Sequence, residues 1–239
     1  MSLDKLFYDL NQSSAFSSAN ELVRKSKKSP KAVARWLAKQ DTWQRHKAAR
    51  YNFQKRKTTG VACFTHVQSD LADLTPYAKN NGGKRWILIV VDVYSRYLVA
   101  RPLMRKSGRL VAEALKDCFD QVNMYPMVVY VDQGTEYFCR HVYDLMDDMN
   151  ATLVGATTEP KAAVAERMQR TLKNRMWKYF HHSGKRNWAT NLQKFVAGIN
   201  NSYNRSIKAT PQQVLDGIKE PAEPSEIKKM KRPEFREGE

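Results

Sequence analysis

The order of the apolar runs between residues 64 and 154 constrains the fold more than any other feature of the sequence. Four of these runs are rich in β-branched and aromatic residues and are bounded by turn residues, which is typical of strands: residues 64–71, 86–93, 97–103 and 127–131. The segments NNGGK and VYSRY supply the turns between the first three runs. Three consecutive antiparallel strands are therefore predicted, with a fourth strand further along the chain.

Helical spacing of the apolar residues follows the third strand and returns after the fourth. The predicted helices lie behind Ser107 and around Phe138 to Met149, and a short fifth strand is expected at residues 152–154. Two long helices at 161–180 and 188–203 come next, and Thr210-Pro211-Gln212-Gln213 has the form of a capping box. The order βββαβαβ followed by helices predicts an α/β protein with an RNase H-like core, that is, a mixed five-stranded sheet flanked by helices.

The net charge indicates a polyanionic partner. The 239 residues include 41 Lys and Arg against 24 Asp and Glu, which gives a formal net charge of +17. Much of the excess lies in residues 24–57, which hold thirteen Lys or Arg and one acid, Asp41. Such a basic stretch is an electrostatic footprint for phosphate, so double-stranded DNA is the expected partner.

This basic stretch also predicts a small helical module before the core. Short helices are expected at residues 17–26 and 29–40, with Ser29 as N-cap and Pro30 at the first helical position, which favours a helix-turn-helix-like arrangement. The alternative is a basic helical hairpin that only packs on the core. We expect residues 1–59 to form this module and a basic linker, 60–217 the core, and 218–239 a charged tail. The residues expected to contact DNA are Arg35, Lys39, Arg50, Lys55, Arg56 and Lys57.

Several other classes of protein and site are not expected. The three cysteines are widely spaced, and the five histidines do not combine with them into zinc-ligand spacing, so no structural zinc is predicted. No apolar run approaches the roughly 18 residues of a membrane span, and the N-terminus lacks the pattern of a signal peptide. A soluble, unsecreted protein without a membrane partner is expected.

Three acids occur where the predicted fold brings elements together. Asp70 lies within the first strand, Asp132 directly after the fourth, and Glu166 near the start of the long helix. Asp132 leaves the sheet at a turn containing Gly134, where ligands of open α/β sheets bind. Because hard Mg²⁺ or Mn²⁺ takes oxygen ligands, carboxylates from separate elements can hold two ions about 3.5 to 4 Å apart. The acids predict a two-metal site that needs no covalent protein nucleophile.

The long helix places basic residues beside Glu166. At about 100° per residue, Arg170 and Lys173 fall close to Glu166 around the helix, on a face that cannot be the core face. We expect this stripe, together with Lys161 at the predicted helix start, to bind DNA phosphates, although a solvated helix face is the alternative.

Other acids compete with the three candidates. An isolated Asp at a strand end is more often a turn or cap residue, and that interpretation is applied to Asp92, Glu136 and the pair Asp147 and Asp148. Asp73 is the one serious rival to Asp70.

The same segments carry a family resemblance. SDLADL, WILIVVDVYSRY, YVDQGTEYF and KAAVAERMQRTLKNRMWKYF resemble the catalytic core of retroviral-type DDE integrases, and the chain is most similar to integrases of Polinton/Maverick DNA transposons. The resemblance implies metal binding by Asp70, Asp132 and Glu166, and contact of Arg170 and Lys173 with the donor DNA end. Gln133 departs from the Asn usual in retroviral enzymes, and the retroviral zinc ligands are missing from the N-terminal region.

The resulting expectation is a metal-dependent integrase that processes element DNA ends and joins their 3′-hydroxyls to target DNA. It would act as a homo-oligomer, since two ends must be joined together, and in the nucleus, where its DNA substrate lies. Two alternatives stay open: an RNase H-like nuclease without strand transfer, and a domesticated DNA-binding protein without catalysis.

Overall fold

The computed structural model describes residues 2–46, 60–155 and 163–222 of the chain. The predicted DNA contacts Arg50, Lys55, Arg56, Lys57 and Lys161 lie outside the described residues, as does most of the predicted charged tail.

A mixed five-stranded sheet forms the centre of the fold, in the order β3-β2-β1-β4-β5. β1 pairs antiparallel with β2 and parallel with β4, while β3 and β5 are the two edges. The strands are β1 (His66–Asp73), β2 (Trp86–Asp92), β3 (Leu98–Leu103), β4 (Val128–Val131) and β5 (Thr152–Gly155). The predicted strand order along the chain and the mixed sheet are confirmed.

Helices cover both faces of the sheet. One face packs on α5 (Gly108–Val122) and α6 (Arg140–Asp148), and the other packs on α7 (Ala163–Ser183) and α8 (Trp188–Asn200). Alternate residues of the central strands divide between the two cores, so that Leu88 and Val90 lie in one core and Ile87 and Ile89 in the other. This double burial explains why the β2 sequence reads as a continuous apolar run.

The connections differ in detail from the sequence expectation. β1 begins at His66 rather than at residue 64, because Phe64 has a left-handed backbone (φ 55°) and donates its N–H to the Asp92 carboxylate. A 3-10 helix at Thr75–Asn81 precedes the glycine turn between β1 and β2, where Gly82 takes a φ of 60°. The predicted capping box is confirmed at the start of α9 (Pro211–Leu215).

Four short helices lie within residues 2–46: α1 (Leu3–Tyr8), α2 (Ala19–Ser26), α3 (Pro30–Leu37) and α4 (Asp41–Arg45). α2 and α3 match the two predicted helices, and Ser29 caps α3 with Pro30 in its first turn. α1 and α4 were not predicted, since each is only about one and a half turns long and carries little periodic signal.

This N-terminal region packs against the C-terminal half of α7 through α4 and through the loop between α1 and α2, which contains Ser13 and Phe16. Phe16 contacts the Tyr179 ring, Lys178 donates to the Phe16 carbonyl at 3.3 Å, and Arg175 donates to the Ser13 carbonyl. Residues 2–46 therefore share a buried boundary with the core. No helix in the described ranges is long and apolar enough to cross a membrane.

Candidate active site

Asp70 lies in the central strand and faces α7. Its side chain is half-buried, and Oδ2 accepts a hydrogen bond of 2.9 Å from Gln169 Nε2 on α7. The neighbouring Leu71 N–H donates to Oδ1 at 2.7 Å. Both carboxylate oxygens therefore have a fixed partner, and the Asp70 side chain is held between the sheet and the helix.

Asp132 is brought beside Asp70 by the parallel pairing of β1 with β4. The register places Gln68 opposite Tyr130, and each acid lies two residues further along its own strand. Asp132 follows the last residue of β4, is exposed, and accepts the Gln133 N–H at 2.8 Å. The register therefore places Asp132, at the end of β4, beside the part of β1 that carries Asp70.

Glu166 is exposed in the first turn of α7. The start of this helix is tied to β1, because the Gln68 side-chain oxygen accepts the N–H groups of Val164 at 2.9 Å and Ala165 at 3.1 Å. Glu166 is the next residue after Ala165 and thus begins its side chain close to the strand that carries Asp70.

The three acids interact electrostatically at Asp70. Burial is the largest cause that raises the pKa of Asp70 above its ordinary value of 3.8, and the charges of Asp132 and Glu166 raise it further. The Leu71 hydrogen bond and the positive charge of Lys173 act in the opposite direction. Burial and the two neighbouring negative charges thus disfavour the ionised form of the Asp70 carboxyl group.

The rival acid Asp73 has a different environment. It is exposed at the end of β1 and accepts the Thr75 N–H at 2.7 Å, and hydrogen bonds with Thr75 are the main cause that lowers its pKa. Three positions beyond Asp70, it begins on the opposite face of the strand. Asp73 is therefore a turn residue in this fold.

The other competing acids also have structural surroundings. Asp92 is fully buried and accepts from the Phe64 and Ser95 N–H groups, while burial is the largest cause raising its pKa. Glu136 is buried and pairs with Lys106 at 2.8 Å. Asp147 and Asp148 are exposed at the end of α6.

Oxygen donors of this kind suit a hard divalent cation. Among the described residues, however, no three His, Cys, Asp or Glu side chains converge closely enough to form a metal-binding group. The Asp70 oxygens accept hydrogen bonds from the Leu71 N–H and from Gln169. The donor chemistry fits Mg²⁺ or Mn²⁺, and binding would require these carboxylates to move together.

The predicted DNA-binding residues differ in how far they are buried. Arg170 is exposed on α7, whereas Lys173 is half-buried and its charge lowers the pKa of both Asp70 and Asp73. Arg35 and Lys39 are exposed on the N-terminal helical module, on the solvent side of α3 and just after it.

Sequence reasoning missed several residues around the acids. Gln68 contacts the α7 backbone, and Gln169 contacts Asp70. On the other side of β1, the buried hydroxyl groups of Ser69 and Tyr137 form a hydrogen bond of 3.0 Å. Spacing could have found the two glutamines, because Gln68 lies two residues before Asp70 on a strand and Gln169 lies three after Glu166 on a helix. Ser69 and Tyr137 are 68 residues apart, and no sequence signal indicates that they are in contact.

This chain matches one protein family and several individual proteins in sequence. Residues 65–158 match the integrase core domain family. An uncharacterised transposon-derived protein of Caenorhabditis elegans is 40% identical over 144 residues, which cover 60% of this chain and 50% of that protein. The retrovirus-related Pol polyprotein from transposon 412 of Drosophila melanogaster is 28% identical over 145 residues, covering 59% of this chain and 12% of the polyprotein. The chain thus spans about half the length of the first of these relatives and far less of the second.

Solved structures of low sequence identity share the fold. A chain in the cryoEM structure of the simian T-cell lymphotropic virus intasome has a TM-score of 0.60 at 13% identity, covering 83% of this chain and 74% of that one. The HTLV-2 integrase catalytic core domain in complex with magnesium has a TM-score of 0.55 at 13% identity, covering 65% of this chain and 98% of that one. Residues 65–158 therefore match an integrase core domain, and the described chain has the RNase H-like fold of integrase catalytic cores.

Proposed function

We propose that this protein is a DDE-type polynucleotidyl transferase that processes element DNA ends and joins their 3′-hydroxyls to target DNA. The observation that carries the proposal is the packing that places the end of β4, with Asp132, and the start of α7, with Glu166, beside the strand of Asp70, in a chain whose residues 65–158 match an integrase core domain. These acids come from a strand, a strand end and a helix, so a shared site would depend on the fold and not on the local sequence.

Asp70, Asp132 and Glu166 are proposed as the ligands and catalytic residues of two Mg²⁺ ions, for which Mn²⁺ would substitute. When bound, the ions would activate a water or a 3′-hydroxyl and stabilise the leaving oxygen. The carboxylates would position the ions from three separate elements, and Lys173 would favour the ionised form of Asp70 that binds them. The named HTLV-2 core contains magnesium, which supports the choice of ion.

DNA would be held by cations on two parts of the chain. Arg170, Lys173 and Lys161 are proposed to bind phosphates of the element end, because the first two lie one to two helical turns beyond Glu166. Arg35 and Lys39, together with Arg50, Lys55, Arg56 and Lys57, are proposed to bind the duplex further away.

Assembly, location and kinship are parts of the same proposal. Two element ends must be joined in concert, so we expect a homo-oligomer, and the named intasome and trimeric catalytic-core structures support it. Action on chromosomal DNA would require the protein to enter the nucleus. Kinship with Polinton/Maverick transposon integrases is supported by the segment from LDKLFYDL to QRHKAARYNFQKRK, which resembles the N-terminal region of that group, and by YNRSIKATPQQVL, which resembles the end of its core.

A strand-transfer assay tests the proposal. Labelled duplexes with the terminal sequences of the encoding element are incubated with a target plasmid in Mg²⁺ or Mn²⁺, using the wild-type chain and Asp132→Asn. We expect joined products from the wild type and a loss of about 100-fold or more in the variant, because a lost metal ligand removes several kcal/mol of transition-state stabilisation. Asp147→Asn, which changes an exposed acid on α6, serves as the matched control and should keep full activity.

Other outcomes favour the alternative functions. Metal-dependent cleavage without joining, again lost in Asp132→Asn, would favour a nuclease. DNA binding that persists in chelator, with no metal-dependent chemistry from the wild type, would overturn the proposal in favour of a non-catalytic DNA-binding protein.

A further inference from the structure

A buried glutamine lies beside the candidate site without a role in the chemistry proposed above. Gln68 is two residues before Asp70 in β1, so both side chains lie on the face of the sheet that α7 covers. Its side chain is 5% exposed, in a position where a polar group must be hydrogen-bonded to be tolerated. The hydrogen-bond partners of Gln68 therefore indicate its structural role.

Gln68 caps the start of α7 from the neighbouring strand. Its Oε1 accepts the N–H groups of Val164 at 2.9 Å and Ala165 at 3.1 Å, the second and third residues of the helix. The first N–H groups of any helix have no partner inside that helix, and an N-cap side chain usually satisfies them. One amide oxygen has two lone pairs, so Gln68 satisfies both groups at once.

This cap acts directly on the position of Glu166. Glu166 follows Ala165 in the same helical turn, so a fixed N–H at Ala165 fixes the backbone from which the Glu166 side chain extends. One turn further on, Gln169 Nε2 donates to Asp70 Oδ2 at 2.9 Å. The Gln68 side chain reaches from β1 to α7 and the Gln169 side chain reaches from α7 to β1, so both glutamines link the strand to the helix.

We propose that Gln68 is the positioning residue for Glu166, because through its cap on α7 the strand that carries Asp70 also fixes Glu166. This inference rests on the proposed function, in which Glu166 binds a metal ion. It assigns Gln68 no contact with metal or DNA. Removal of the cap should free the first turn of α7 and weaken metal binding, while the sheet and its two cores remain.

The test compares Gln68→Met with Gln193→Met in the full chain. Methionine keeps the length of the side chain but lacks the acceptor. Gln193 is the matched control, since it donates from α8 to the Ala100 carbonyl at 3.0 Å and so also links a helix to the same face of the sheet. Two readouts are measured without DNA: amide hydrogen exchange at Val164 and Ala165, and Mn²⁺ affinity by calorimetry.

We expect the two amides to exchange about tenfold faster in Gln68→Met, because both lose their hydrogen-bond acceptor. Mn²⁺ affinity should fall about tenfold, the lower end of what outer-shell partners of metal ligands contribute. Gln193→Met should change neither quantity. Gln68→Glu, which keeps an acceptor, should restore slow exchange at both amides.

Unchanged exchange in Gln68→Met would overturn the inference, and so would faster exchange with unaltered Mn²⁺ affinity, since Gln68 would then cap the helix without positioning the site. A wild-type chain that binds no Mn²⁺ would overturn the proposed function together with the inference. If the wild type binds Mn²⁺ and joins DNA, while Gln68→Met keeps the amide exchange and Mn²⁺ affinity of the wild type, the inference about Gln68 would be overturned and the proposed function would stand.

Discussion

At the scale of one residue, the Asp70 carboxylate in the candidate site lowers the stability of the fold at neutral pH. Its pKa is raised, mainly by burial, so folding favours the protonated form. The stability contributed by Asp70 is therefore present below the ordinary value of 3.8 and is lost as the pH rises through the higher folded value. At pH 7, without metal, an ionised Asp70 makes the fold less stable than an uncharged side chain of the same shape would.

We expect Asp70→Asn to raise the Tm at pH 7 in chelator by about 2–4 °C, which corresponds to about 1 kcal/mol for a chain of this size. The gain should disappear as the pH falls below 3.8, where the wild-type carboxyl is also neutral. Thermal unfolding followed by circular dichroism across this pH range measures the effect.

Asp73→Asn is the control, for which we expect the opposite change in Tm at pH 7. The Asp73 pKa is lowered, chiefly by hydrogen bonds with Thr75, so its stabilising effect is present at neutral pH and is lost as the pH falls. The variant should therefore have a lower Tm than the wild type at pH 7. A lower Tm at pH 7 for both variants would contradict the account of Asp70.

At the scale of the element, α7 joins two regions of the molecule. Its first turn carries Glu166, and its C-terminal half carries Arg175 and Lys178, which are buried against the N-terminal helices. Lys178 lies 4.4 Å from the centroid of the Trp43 ring and donates to the Phe16 carbonyl. Burial, and then the charge of Arg175, lowers the pKa of Lys178 to about 8.

We expect the stability of the wild type to rise relative to Lys178→Met, by about 2 kcal/mol, between pH 7 and pH 10. A lysine whose pKa is depressed in the folded state contributes stability that is present above the ordinary value of 10.5 and lost as the pH falls through about 8. Urea unfolding at pH 7, 8.5 and 10 measures the difference. The exposed Lys185 provides the control for removal of a lysine from the surface, and Lys185→Met is measured at the same three pH values. Equal pH dependence in wild type and Lys178→Met would contradict the assignment.

At the scale of the whole molecule, the net charge of +17 governs binding to any polyanion. Neutralising phosphates releases counterions, so the logarithm of DNA affinity falls with the logarithm of salt concentration in proportion to the number of contacts. Arg35 and Lys39 are exposed and have no ion pair among the described salt bridges.

We expect the double variant Arg35→Gln and Lys39→Gln to lower the salt slope of duplex binding by about 2, since each phosphate contact contributes about 0.9. Fluorescence anisotropy with a labelled duplex at several salt concentrations gives the slope. Arg45→Gln is the control, because Arg45 is exposed but pairs with Asp41 at 2.8 Å and should change the slope little. A slope unchanged in the double variant would show that DNA lies elsewhere on the protein.

The sequence by itself determined the elements and their order. The apolar run of β2 and the helical spacing of α5 were readable because the period of buried residues follows from backbone geometry. Ser29, Pro30 and Thr210 marked helix starts through local hydrogen bonds that span only a few residues. The two shortest N-terminal helices escaped prediction because one and a half turns give too few positions to show a period.

Only the tertiary structure decided which residues surround each of the candidate acids. Residue types singled out Asp70, Asp132 and Glu166, but they did not separate Asp70 from Asp73, which the face of β1 and the contact with Gln169 distinguish. The sequence likewise left open whether the N-terminal helices pack on the core. Buried contacts of α7 with Phe16 answer that question.

The physical reason is the range over which each signal acts. Caps, turns and periodicity depend on neighbours within about one helical turn or a few strand positions, so they are written locally in the sequence. The hydrogen bonds from Val164 and Ala165 to Gln68 join residues 96 and 97 positions apart. Such pairs arise from strand register and helix packing, which no local pattern encodes.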